Sequence, residues 1–197
     1  MTRAQAHTVE AFIAALLLVS GVLFAVQATA ITPLSASTSN QHIENQQRAI
    51  ANDLLATADT SGDLREAALY WDPDAGNFTG SSVHGYYTQG GPPNAFGASL
   101  NQTFYERGIA FNVRVLHQRP GRAVSSTKMV YMGTPSDNAV SAMRSVVVFD
   151  GTRLMSSASD ATLAEVESDS SQSFYATDVD DGRLYSILEV RITVWRM

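Results

Sequence analysis

Four histidines, at positions 7, 42, 84 and 117, and nineteen carboxylates are the groups in this 197-residue chain able to hold a metal or shuttle a proton. Cysteine is absent, which removes disulfides, thiolate metal sites and thiol nucleophiles together. The histidines stand apart from one another, with no H-E-x-x-H pair to place two imidazoles on one helix face. The stretch DVDDGRLYSILE sets Asp178, Asp180 and Glu189 at positions 1, 3 and 12 of a calcium-type loop. Its glycine falls one position early and Arg183 occupies the place that needs glycine, so Asp180-Asp181-Gly182 reads as a turn into a strand. DPDAG at 72–76 also reads as a turn. No nucleophile elbow or phosphate-binding loop occurs, and Gly90-Gly91-Pro92-Pro93 lacks the run of N–H groups a phosphate cradle requires. The sequence therefore assigns no catalytic, cofactor-binding or metal-ligating residue, expects no cofactor and no small-molecule substrate, and does not read as an enzyme.

The remaining question is what positions a carboxylate at Glu10. Residues 11–31, AFIAALLLVSGVLFAVQATAI, carry no charge. As a helix they would span about 31 Å, matching a hydrocarbon core of about 30 Å. This predicts a transmembrane helix over 11–31, closed by a stop at Pro33. Three fates of the segment remain open. Arg3, the apolar run and Ala28-Thr29-Ala30 fit a secretory signal cleaved after Ala30. An uncleaved anchor fits as well, with Glu10 in a first helical turn where the macrodipole favours a negative charge. The third fate gives Glu10 a task. RAQAHTVEAF has a basic residue, a small residue, a few uncharged residues, a Glu and then an apolar helix.

In that order the segment resembles the prepilin signature of type IV pilin-like proteins. The resemblance covers about 30 of the 197 residues. It implies processing around Arg3, Ala4 and Gln5, with Gln5 opening the mature chain, and retention of the helix as anchor and assembly element. Cutting after Ala4 puts Glu10 one place later than the bacterial pattern has it, whereas cutting after Gln5 restores the spacing but leaves Gln at the cleavage point. The α-amino group freed by cleavage, on a neighbouring staggered helix, would neutralise Glu10 and fix the axial register of adjacent subunits. Ala14, Ala15, Ser20, Gly21, Ala25 and Ala28 would let helix backbones approach closely. The partners so implied are the lipid bilayer and other pilin-like subunits.

Composition adds a setting. The net charge is −6, from 12 Asp and 7 Glu against 12 Arg and a single lysine, Lys128. Few lysines on an Asp-, Ser- and Ala-rich background resemble a protein of a salt-loving archaeon. The arginines are dispersed, so no nucleic-acid surface is expected. Only Arg3 flanks the short side of the span. The short arm favours a single-pass chain with its N-terminus inside and its larger part outside, at the cell surface.

Beyond Pro33 the expected class is α+β, a long N-terminal helix packed on an antiparallel sheet of four or five strands. Ile43, Ile50, Leu54 and Ala58 share a helical face in an amphipathic segment over 38–71, capped by Ser39 or Asn40 and resuming after Gly62 through Trp71. Residues 72–102 read as a Gly/Pro-rich loop whose Phe78, Tyr86, Tyr87 and Phe96 pin it to the domain. Residues 103–197 read as the sheet domain. Ile109, Phe111, Val113 and Val115 alternate as a strand, STKMVYMG follows the Pro120-Gly121 turn, and RLYSILEVRITVWRM closes the chain. MRSVVVFDGTRLM reads as a hairpin about Asp150-Gly151, and the acidic serine-rich stretch after it as a loop with a short helix. Two N-glycosylation sequons begin at Asn77 and Asn101. The alternative to a pilin-like subunit is a secreted or anchored extracytoplasmic binding domain.

Overall fold

The computed structural model describes residues 3–119, 123–179 and 182–196, and within the first helix the side chains of 7–26 and 41–61. The Pro120-Gly121 and Asp180-Asp181 turns and the side chains of Arg3, Ala4 and Gln5 lie outside the described residues. The protein is α+β, as the sequence predicts. It divides into a unit ending at Ile43 and a unit beginning at Glu44.

Helix α1 is assigned continuously from Arg3 to Ser61. It neither stops at Pro33 nor starts afresh at Ser39 or Asn40. A proline inside a helix removes one hydrogen bond and crowds the preceding turn, which kinks more readily than it terminates. Termination comes at Gly62, whose φ of 89° few other residues tolerate and whose N–H bonds the Asp59 carbonyl at 3.2 Å. Helix α2 then covers Asp63–Leu69. Trp71 belongs to strand β1 (Trp71–Asp72) and not to the helix, because Pro73 biases Asp72 to extended backbone. The Asp72 carboxylate accepts from the N–H groups of Asp74 and Ala75 at 3.0 Å each, closing the expected turn into β2 (Asn77–Phe78).

Helix α3 (Ala95–Thr103) occupies part of the expected loop, started by the Asn94 side chain accepting from Gly97 N–H at 3.1 Å. A sheet of four antiparallel strands follows in the order β4-β3-β6-β5, built from β3 (Ile109–Gln118), β4 (Val124–Tyr131), β5 (Val140–Phe149) and β6 (Leu184–Arg196). The expected return strand after Asp150-Gly151 does not form. β6 takes the pairing position beside β5, and the chain after the turn makes a single bridge between Arg153 and Thr162. Helix α4 (Leu163–Ser168) begins there with a capping box: Thr162 Oγ1 accepts from Glu165 N–H and the Glu165 carboxylate accepts from Thr162 N–H. Those bonds hold the Glu165 carboxyl below its ordinary range.

One face of the sheet is closed by α1, α2 and α3. On β3 and β6, Phe111, Val113, Val115, Val190, Ile192 and Val194 are buried in one cluster with Ala51, Leu54, Leu55 and Ala58 of α1. Of the expected α1 face, Leu54 and Ala58 are buried and Ile50 partly so; Gln47 and Ala51 join them, and Ile43 falls in the other unit. The loop aromatics do pin the loop. Phe78, Tyr87 and Phe96 are buried, and Tyr87 exchanges backbone hydrogen bonds with Met129 and Tyr131 at 2.9 Å, covering the open edge of β4.

Candidate functional site

The feature that fold packing does not consume is the first part of α1. From His7 to Val26 the helix has 20 residues of mean hydropathy 2.5, and nothing within its unit covers them. Leu18 is 72% and Phe24 75% exposed. This is one N-terminal helix long and apolar enough to cross a membrane. Twenty helical residues rise about 30 Å. Exposed apolar surface of this extent is not stable in water and calls for lipid or other helices.

Glu10 sits inside this segment rather than directly before it. Helix α1 has no acidic residue in its first turn, so Glu10 lies about two turns in from Arg3. The dipole's effect fades within the first turn. First-turn electrostatics therefore do not account for the position. One turn earlier stands His7, whose Nδ1 is 3.7 Å from Glu10 Oε2, with both side chains about 80% exposed. An imidazolium there would neutralise the carboxylate within one helix. Ala14, Ala15, Ser20, Gly21 and Ala25 lie along the same apolar helix, and a Cβ added at Gly21 would meet nothing within 4 Å.

The sequence-marked Asn77, Asn101 and His117 belong to the second unit. Asn77 is on β2, half-buried. Asn101 is on α3, half-buried, with its side-chain oxygen buried beside Gly90. His117 is buried on β3, edge-on to Tyr175 at 5.6 Å, and burial lowers its pKa. Tyr185 donates toward the Glu167 carboxylate at 2.9 Å, and burial raises its pKa, so it stays a neutral donor. These groups tie loops to the sheet. Among the described residues no three His, Asp or Glu side chains gather as a metal site. Arg114 and Arg191 alternate with the buried positions at 113, 115, 190 and 192, and Lys128 precedes the buried pair Met129-Val130 on β4; spread through the sequence, the three carry no functional signal there.

A family described as one of unknown function (DUF7288) matches residues 3–194. The chain belongs to this family. The DUF7288 match starts at Arg3, so it takes in the apolar helix and Glu10 together with the sheet domain. No curated protein matches the chain, and no solved structure does.

Proposed function

We propose that this protein is a membrane-anchored, pilin-like subunit with a structural role, assembling through its N-terminal helix into a surface filament or an envelope complex. The observation that carries the reading is Glu10, a carboxylate just inside the start of the uncovered apolar span His7–Val26. A charge at that depth costs up to a few kcal/mol in lipid, less toward the interface. A positive group on an adjoining helix offsets that cost only at one axial offset, so the same pair that neutralises Glu10 sets the stagger between subunits. In this arrangement the helix is single-pass, its N-terminus faces the cytoplasm, and the sheet domain lies outside, in an archaeal, salt-adapted setting.

Glu10→Gln tests it. The variant removes the charge, keeps the shape and makes insertion easier, so the amount of protein in the membrane fraction should be unchanged or higher. Co-purification of an untagged copy with a tagged copy should drop several-fold. His7→Ala run in parallel separates the sources of neutralisation, since assembly should survive it if the partner charge comes from a neighbouring helix. Undiminished co-purification of the Glu10→Gln chain would remove the register argument.

A further inference from the structure

The sheet face turned away from the helices carries an arrangement that the assembly reading does not use. Register places Arg114 of β3 directly opposite Lys128 of β4 on one side and opposite Arg191 of β6 on the other. Three cations thus form a row across three adjacent strands, about 5 Å apart at each step. Like charges at opposed positions destabilise a sheet. Here the row uses a quarter of the chain's scarce positive charge, counting three of 13 cations, in a protein of net charge −6. Among the described residues no carboxylate lies within 4 Å of any of the three, the ion pairs being His7–Glu10, Arg144–Asp59 and Arg153–Asp160. Arg191 Nε is buried with no hydrogen-bond acceptor. Lys128 is held over the rings of Tyr131 and Tyr86 at 4.6 and 5.2 Å, which fixes its ammonium at the end of the row.

One pair further along each strand, Leu116 stands opposite Ser126 and Glu189, and Glu189 opposite Ser145. These positions share the face of the cation row, because side chains two apart on a strand point the same way. Of these, Leu116, Ser145 and Glu189 line a hollow of about 220 Å³ together with Val124, Val179 and Ile187. On the other side of the row, Thr193 and Ser141 present hydroxyls 2.8 Å apart.

We propose that this face binds a linear acidic polysaccharide, its carboxylate or sulfate groups on the Lys128–Arg114–Arg191 row and a neighbouring sugar ring in the hollow. The chemistry of the face matches such a chain. Aliphatic Leu116 and Ile187 suit the C–H face of a sugar ring, Glu189 and Ser145 take its hydroxyl hydrogen bonds, and the guanidiniums offer paired donors to oxyanions. The three side chains are half-buried and spread over three strands, so a single small anion meets one cation at a time, whereas a polymer gains by repetition. Nucleic acid fits less well. The Tyr86 ring is stacked with His84 and covered by Lys128, so it offers no free platform for a base.

The experiment is a binding titration of the full-length protein in detergent micelles with polygalacturonate and dextran sulfate as probes. Neutral dextran, free sulfate and single-stranded DNA are the comparison arms. Either acidic polymer should bind, with affinity falling as salt rises, while neutral dextran and free sulfate at equal charge should not saturate the protein. Arg114→Gln with Arg191→Gln should weaken binding at least tenfold, and Arg48→Gln, an exposed change on α1, should not. Because opposed like charges are being removed, the double variant should melt no lower than the parent. If it does melt lower, Lys128→Gln alone carries the test, with an expected loss of about threefold. Equal losses from Arg48→Gln, DNA binding as tight as either acidic polymer, or no binding of either polymer would overturn the proposal.

Discussion

Replacing Trp71 by alanine should destabilise the sheet domain by about 3–5 kcal/mol, the usual cost of deleting a large buried aromatic side chain. Trp71 is the hub of an aromatic cluster, with ring centroids 5.1 Å from Phe78, 5.1 Å from Tyr175 and 6.2 Å from Phe174. Its indole N–H donates to the Ser173 carbonyl at 2.7 Å, and its own carbonyl accepts from Ser156 Oγ at 3.0 Å. The residue thus joins the end of the helical layer to the loop after β5, which has no strand of its own to hold it. The alanine variant leaves a cavity and removes the hydrogen bond to the Ser173 carbonyl, and both losses fall on the same loop. Trp71→Phe keeps most of the packing and loses the hydrogen bond, so it should cost about 1–2 kcal/mol. Thermal denaturation of the full chain in detergent checks both. A domain this size loses about 2–4 °C per kcal/mol. A fall of roughly 10 °C for the alanine variant is therefore expected, and an unchanged midpoint would show that the cluster does not anchor the loop.

Gly97→Ala is the second large effect, and there the sign is the test. Gly97 lies in helix α3 with an ordinary negative φ, so helix propensity alone predicts that alanine stabilises by up to about 1 kcal/mol. Packing predicts the reverse. A Cβ at Gly97 would come within 1.8 Å of the Pro92 carbonyl oxygen, and one at Gly91 within 2.6 Å of Gly97 Cα. The obstacle is backbone on both sides and cannot rotate away, so the loop must lift off the helix at a cost of about 3 kcal/mol, the upper end of the usual overpacking range. Phe96 and Leu100, buried on the same helix, would lose their seating. A raised melting midpoint would contradict the close approach.

These two residues also show what the sequence made legible. The β3 and β6 strands were readable because their buried side chains alternate with period two, and Gly62 because nothing else ends a helix so cleanly. Helix α3 was obscured by Gly97, which is there for contact and weakens the helical signal, and by the glycines and prolines just before it. Trp71 fell at a helical spacing, yet Pro73 two residues later decides its conformation. The return strand after Gly151 failed for a non-local reason, since its pairing site belongs to a segment more than thirty residues on. In the candidate site, the apolar span and Glu10 were plain in sequence. The depth of Glu10 in the helix and its nearness to His7 needed the helix start. The cation row needed strand register, which no single strand encodes.

The central claim is that the apolar helix stays on the protein as its anchor and assembly element. The mature N-terminus, read by mass spectrometry of the protein purified from its native membrane, tests this most directly. The expected chain begins at Gln5 or Ala6 and retains Glu10 and the helix. A chain beginning at Ile31 would contradict it.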